Sequence, residues 1–225
     1  MTEITAALCW YDEKPEHLER LVRSLEGVCS HLVTVDGRWL HFPGAVEDSP
    51  EAQRAAIATA ADKIGIGLSY FNSGKVGWAD QVTKRSFLMQ QACKHGEWVL
   101  VIDGDEWVEQ HRGLHERLAG LTCDVARVMS HRYGEGIRTP ETPIRRLYRA
   151  SRNVHVERAH NGYRAADGGW LHGDPGYVTL EQCADEVAEN IVVAHDIDGR
   201  LPERAKAKRD YYVERRRHMG ASRWL

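Results

Sequence analysis

Apolar residues in the first half of the chain fall in short unbroken runs that alternate with stretches of helical spacing. Ile4 to Trp10 reads as a strand, and Pro15 to Leu25 as a helix with Leu18, Leu21, Val22 and Leu25 on one stripe. His31 to Gly37 forms a second strand that ends in Asp36 and a turn glycine. Ser49-Pro50 opens another helix, serine as cap and proline at the first position, with Ala56, Ile57, Ala60, Ala61 and Ile64 as its apolar residues. Leu68 to Phe71 is strand-like, Trp78 to Cys93 is helical and stopped by Gly96, and Trp98 to Ile102 is a strand. Such alternation predicts an α/β chain: a mostly parallel sheet flanked by helices, with ligands beyond the carboxyl ends of its strands.

After Glu106 the pattern loosens. Val125 to Met129 and Ile144 to Tyr148 read as strands in a region rich in Gly, Pro and Arg, and Gly162 to Gly176 as a long loop. Ile191 to His195 is a final buried strand, and Pro202 to His218 a basic closing helix. No repeat, low-complexity tract or linker divides the sequence, so one domain over residues 1–225 is expected, with halves at 1–110 and 111–225.

With 225 residues and 42% hydrophobic content, the chain can bury the core of one domain. A net charge of -3 argues against a general polyanion binder but leaves room for a local basic face. Cys9, Cys29, Cys93, Cys123 and Cys183 are odd in number and scattered, with no CxxC pair. They offer neither a zinc ribbon nor a disulfide framework, which fits a reducing cytoplasm. Asp12, Glu13 and Lys14 come too early for a secretory signal, and no apolar stretch approaches the ~20 residues of a membrane span. A soluble cytoplasmic protein is expected.

Candidate chemistry gathers at Asp103-Gly104-Asp105-Glu106, directly after an apolar strand. In an extended backbone, residues two apart share a side, so Asp103 and Asp105 can reach one point. Two carboxylates ~4 Å apart repel by roughly 4 kcal/mol at an effective dielectric of about 20, strain that a hard cation such as Mg²⁺ or Mn²⁺ relieves. Asp also ends strands at ordinary turns. His195 closes another apolar strand and is a candidate third metal ligand, an imidazole that favours Mn²⁺ over Mg²⁺. Lys84 and Arg85 precede the acidic strand and could hold a diphosphate by charge-assisted hydrogen bonds, or simply face solvent. In the terminal segment eight cations stand against three anions, and Arg200, Arg204 and Lys208 share a face. Such a helix could clamp phosphates or attract a polyanion. His155-Val156-Glu157 matches half of a zinc-deaminase signature but lacks its Pro-Cys-x-x-Cys, and no GxGxxG or Walker loop occurs.

Taken together, these residues resemble a GT-A-fold glycosyltransferase similar to family 2. The matching features are the first strand, Asp36, Lys84-Arg85, and Asp103-Gly104-Asp105-Glu106 as a D-x-D-E metal motif. Arg146-Leu147-Tyr148-Arg149 with His160, and Val193-Ala194-His195 with Arg200, Arg204, Lys208 and Tyr211-Tyr212, resemble the later family segments. The resemblance implies a nucleotide-diphosphate sugar donor, most often a UDP-sugar, and a divalent cation. It implies that Asp36 and the main chain at Trp10-Tyr11 meet base or ribose, and that Asp103 faces ribose and metal. Asp105 and His195 would ligate the metal, and Lys84, Arg85, Arg200 and Arg204 would face the diphosphate. The catalytic base stays open among Glu106, Glu157, His160 and Asp174, with His160 favoured as an active-site residue. No acidic base motif follows the metal motif, and Cys9 to Glu13 stands where relatives carry Asn-Glu.

The implied acceptor is a saccharide, a lipid-linked glycan, a small metabolite or hydroxymethylated pyrimidine in phage DNA, the last placing the protein in a host cytoplasm. The alternatives are a non-catalytic nucleotide-sugar-binding module and a sugar-phosphate nucleotidyltransferase. Ala7 to Tyr11 lacks the glycine-rich loop expected of the nucleotidyltransferase.

Overall fold

The computed structural model describes residues 2–40, 42, 49–74, 77–134, 137–158, 162–164, 166, 170–172, 185–196, 206, 209–211 and 213, and these residues carry the architecture. The apolar runs become strands buried on both faces. In order come β1 (Ile4–Cys9), α1 (Pro15–Arg23), β2 (His31–Val35), α2 (Glu51–Ile64), β3 (Gly67–Phe71), α3 (Gln81–Ala92) and β4 (Trp98–Asp103). β1 lies between β2 and β4, parallel to both, with Ala6 opposite Leu32 and Leu100. β3 extends the edge, parallel to β2.

Alternate residues of these strands feed two layers, as a two-residue side-chain period requires. Ala6, Leu8, Leu32, Trp98 and Leu100 pack with Leu18, Leu21 and Val22 of α1 and Ile57 and Ala60 of α2. Ala7, Val33, Val99 and Val101 pack with Leu88, Met89 and Ala92 of α3 on the other face. Burial on both faces is why these strands read as continuous apolar runs.

Beyond β4 come β5 (Glu106–Gln110), α4 (Leu114–Ala119), β6 (Val125–Gly134), β7 (Ile137–Arg138), β8 (Thr142–Arg149), β9 (His155–Arg158), β10 (Gly162–Arg164), β11 (Trp170–His172) and β12 (Asp185–Asp196). The large sheet runs β3-β2-β1-β4-β8-β6-β12-β5, with β7 paired to β6. Every pairing among β1 to β4 is parallel, as the strand–helix alternation predicts, and β12 is parallel to β6. Antiparallel pairing enters through β5, β7 and β8 alone, in the region where the sequence pattern loosens. β9, β10 and β11 form a separate antiparallel sheet. No described helix is long and apolar enough to cross a membrane.

Several elements differ from the sequence-based expectation, among them β5, α4 and β9, which it did not include. Pro50, not Ser49, occupies the cap of α2, because the Ser49 hydroxyl donates to Asp36 Oδ1 and accepts the Asp12 amide. The helix expected from Trp78 starts at Gln81, where Asp80 caps the Thr83 amide; Trp78 instead bridges to Trp39. Strands β10 and β11 lie within the stretch expected to be loop, its apolar residues being too few to signal them. Of the closing basic helix, the described residues Lys206, Arg209, Asp210, Tyr211 and Val213 are helical.

β1 leads directly into Trp10, whose indole N–H donates to Thr34 Oγ1 at 2.6 Å in the core. Thr34→Val keeps the shape of the side chain but strips that buried donor of its acceptor. Stability should fall by about 1–3 kcal/mol, read as a lower urea midpoint at unchanged m-value.

Candidate active site

β4 ends at Asp103, the chain turns at Gly104-Asp105, and Glu106 opens β5. Glycine is required there by space: a Cβ at Gly104 would stand 2.7 Å from Glu13 Cγ. The turn separates the two aspartates. Asp103 Oδ1 accepts from Arg85 Nη2 at 2.6 Å, and its Oδ2 lies 3.7 Å from Arg146 Nη1. Arg146 also grips Glu106, whose other oxygen accepts the Asp103 amide at 2.9 Å. Asp105, only 4% exposed, faces His195 instead, Oδ2 to Nε2 at 3.2 Å. Strand pairing sets that contact: His195 is the cross-strand partner of Glu106, and the Asp196 amide donates to the Asp105 carbonyl.

Two of the carboxyls are shifted, in opposite directions. Burial alone would raise the Asp103 carboxyl, but the Arg85 and Arg146 guanidiniums overcome it and hold the group below its ordinary range. Glu106 goes the other way: burial, helped by the neighbouring Asp103 and Asp105 charges, pushes its carboxyl up against the pull of Arg146.

A second cluster joins the loops after β1 and β2. Asp36 Oδ1 accepts from the Gly37 amide and the Ser49 hydroxyl, each at 2.5 Å, and Oδ2 from the Tyr70 hydroxyl at 2.9 Å. Burial and the adjoining Asp36 carboxylate push the Tyr70 phenol up. Lys84 is 1% exposed and its ammonium donates to the backbone carbonyls of Trp10 and Gly37. Neither Asp36 nor Lys84 turns its charged atoms to the surface. Beside them Tyr11, Trp39 and Phe42 form an aromatic cluster against which Tyr211 packs, its hydroxyl 3.3 Å from Trp39 Nε1.

Of the residues singled out from sequence, Arg85, Asp103, Asp105, Glu106 and His195 therefore come together at one rim. Trp10, Asp36 and Lys84 form the neighbouring cluster. His160, Asp174, Arg200 and Arg204 lie outside the described residues. Arg146 stands out in the sequence only as part of a motif, yet it binds the acidic turn together.

The expected three-ligand metal set is not assembled: no group of three His, Cys, Asp or Glu side chains able to hold an ion exists among the described residues. Asp103 is diverted because both its oxygens face guanidiniums. The Asp105–His195 pair does fit. Adjacent ligands on an octahedral ion with bonds of ~2.1 Å stand about 3 Å apart, close to the 3.2 Å observed.

Glu106, Arg146 and His195 also line a cleft of about 700 Å³ that extends over β6 and β8. Its other walls include Arg127, Ser130, His131, Arg132 and Arg145. These residues carry no signal in the sequence, because the pairing of β6 with β8 is what assembles them.

No protein-family model matches the chain, and no curated protein matches it in sequence. Solved structures do. The crystal structure of S. aureus TarS aligns with a TM-score of 0.57 at 15% identity, over 94% of this chain and 39% of that one. A structure of TarS 1-349 aligns with a TM-score of 0.53 at 14% identity, over 99% of this chain and 75% of that one. A further TarS 1-349 structure, in complex with UDP-GlcNAc, aligns at 0.47 over 66% of this chain, too loosely to count as the same fold. This chain spans well under half the length of the first TarS chain. The likeness is one of fold: a central mixed sheet flanked by helices, shared with TarS.

Two outcomes follow from the ties at the rim. Lys84→Met leaves two buried carbonyls without a donor, so unfolding free energy should drop by about 1–3 kcal/mol, with lost hydrogen-exchange protection in the loops after β1 and β2. Asp103, held low, binds fewer protons folded than unfolded; its contribution is fully present above about pH 4 and is lost as pH falls through its folded value. Glu106, held high, acts in the opposite sense, its contribution present at low pH and lost as pH rises through its folded value. Asp103→Asn should therefore flatten the acid limb of stability measured by urea unfolding between about pH 5 and pH 2.

Proposed function

We propose that the chain is a glycosyltransferase of the GT-A type that moves a sugar from a nucleotide-diphosphate donor, a UDP-sugar, to an acceptor hydroxyl. The observation that carries this reading is the meeting of Asp105 with His195 at the carboxyl end of β4, beside Arg85 and Arg146. Ligands of parallel α/β sheets lie beyond such strand ends. The loops after β1, β2 and β4 all open toward that edge, and Lys84 ties the first two together. The likeness in fold to TarS, a GT-A-type structure, agrees with it.

In this reading the acceptor oxygen attacks the anomeric carbon as the bond from that carbon to the diphosphate breaks. The diphosphate leaves with the electron pair, and a base takes the acceptor proton. Asp105 and His195 would hold a divalent cation, which when bound stabilises negative charge on the departing diphosphate. Arg85 and Arg146 keep Asp103 in place. Glu106 serves as an anchor for Arg146 and the Asp103 amide. The base is sought among the other sequence candidates, Glu157, His160 and Asp174, with His160 favoured. Saccharides, small metabolites and hydroxymethylated pyrimidines in phage DNA are the acceptor classes to screen.

UDP release from a panel of UDP-sugars, with and without Mn²⁺, tests the reading. Metal-stimulated release should fall about 100-fold or more in Asp105→Ala and in His195→Ala. Release that is insensitive to both substitutions would sink it. Binding of nucleotide sugar without any turnover would instead favour a non-catalytic module.

A further inference from the structure

β12 ends at Asp196, and His195 is its last residue but one, where a strand is prone to fray. What holds this end lies on the other face of the strand. Successive side chains alternate in direction, so Ala194 and Asp196 share one face, and His195 stands on the opposite one with its cross-strand partner Glu106. On the Ala194 face, Trp107 of β5 and His131 of β6 pair with Ala194, and Tyr133 of β6 pairs with Asp196. The Trp107 and Tyr133 rings stack across β12, their centroids 5.6 Å apart and their planes 9° from parallel. His131 meets the Tyr133 ring nearly at right angles, at 4.9 Å, and Ala194 is completely buried. Arg20 of α1 closes the stack. Its guanidinium lies 3.7 Å from the Trp107 ring centroid and reaches Asp196 Oδ2 at 3.4 Å. At the far end the Tyr133 hydroxyl donates to Glu109 Oε1 at 2.8 Å, which fixes the second ring.

We propose that Arg20, Trp107 and Tyr133 form a clamp over the end of β12 and act as positioning residues for His195, holding its imidazole on Asp105 for the divalent cation. The inference rests on the metal-dependent glycosyl-transfer reading and adds to it three residues that are not ligands of the ion. Arg20 serves both strands beside the acidic turn: its ring contact is on Trp107, next to Glu106, and its ion pair is on Asp196, next to His195. Asp196 in turn gives its amide to the Asp105 carbonyl at 2.9 Å, so the clamp reaches both members of the Asp105–His195 pair. A planar guanidinium stacks on a ring while its edge serves a carboxylate, a combination that an ammonium lacks. The Arg20 side chain is 42% exposed, and an ion pair so exposed contributes little to stability by itself. Its effect is on placement. Groups behind metal ligands that fix their orientation change metal affinity about 10–100-fold when they are removed.

Titration of the full chain with Mn²⁺, followed through the paramagnetic resonance of the free ion, is the test. Arg20→Gln and Trp107→Leu should each weaken Mn²⁺ binding about tenfold or more. The Mn²⁺ concentration that half-saturates UDP-sugar hydrolysis should rise by the same factor, with the rate at saturating Mn²⁺ and the melting temperature close to those of the unaltered protein. Trp107→Phe, which keeps a ring under the guanidinium, should recover most of the loss. In the metal-free protein the His195 Cε1 proton resonance should shift or broaden in Arg20→Gln, although the contacts of Arg20 are on the opposite face of β12. Arg20 is exposed, so its variant carries the test if Trp107→Leu folds poorly. Mn²⁺ affinity indifferent to Arg20→Gln, or a Trp107→Phe protein no better than Trp107→Leu, would overturn the clamp. If His195→Ala still abolishes Mn²⁺ binding and hydrolysis in that case, the glycosyl-transfer reading stands without it. An unaltered protein that binds no Mn²⁺ removes the cation from that reading, and the clamp with it.

Discussion

Arg146 reaches from the middle of the sheet to two carboxylates at once, Glu106 and Asp103, and the rim depends on that grip. β8 inserts between β4 and β6, so its arginine stands where β4 ends and β5 begins. Removing one partner from a buried charge set of this kind costs about 3–5 kcal/mol, because the remaining charge is left uncompensated. The arrangement is therefore stiff. It fixes the course of the turn at Gly104, and with it where the Asp105 carboxylate points. Arg85, from α3 on the other layer, adds a second cation to Asp103. The acidic motif thus divides into a half spent on structure and a half, Asp105 with His195, turned to the chemistry proposed for the site.

That division explains how distant segments cooperate. β12 pairs in parallel with β6 and antiparallel with β5, closing the sheet beside the acidic turn. Its register places His195 opposite Glu106, so ladder hydrogen bonds, rather than a flexible loop, carry the imidazole to Asp105. Between Ala188 and Val192 the register with β6 slips, and residues 189–191 are accommodated as a bulge before the strand delivers His195. Bulges often re-aim side chains next to sites. On the far side of the same rim, β6 and β8 bring their arginines into one cleft. The loops after β1 and β2, the acidic turn and the cleft thereby follow one another along a single continuous sheet.

The strands of the first half were legible because burial on both faces leaves unbroken apolar runs, and α1 was legible from its stripe at Leu18, Leu21 and Val22. His195 could be found as the polar end of the run Ile191 to Ala194. The convergence of Asp103 and Asp105 could not be judged from their spacing: the two-residue rule holds for extended backbone, and the chain turns between them. What captures Asp103 is an arginine in β8, far along the chain, and nothing local announces it. The cleft was hidden for the same reason. Arg127 and Arg145 are unremarkable apart in sequence and become neighbours only through the pairing of β6 with β8.

Lys84 and Asp36 bind the chain to itself. Both types suit contact with a nucleotide, yet each is buried with its polar atoms spent on the chain itself. A lysine ammonium with three donors is well matched to carbonyls arriving from different loops, which a neutral side chain of that length would leave unsatisfied. The Asp36 carboxylate does the converse, gathering an amide and two hydroxyls from three segments. Between them they fix the chain around Trp10 and Gly37, the two loop starts that border the rim. Holding a reacting geometry within a fraction of an ångström is worth several kcal/mol of barrier when the holding is done before the ligand arrives. Residues that never touch a ligand can therefore matter as much to a site's geometry as those that do. In this chain the buried charges are spent on that rigidity.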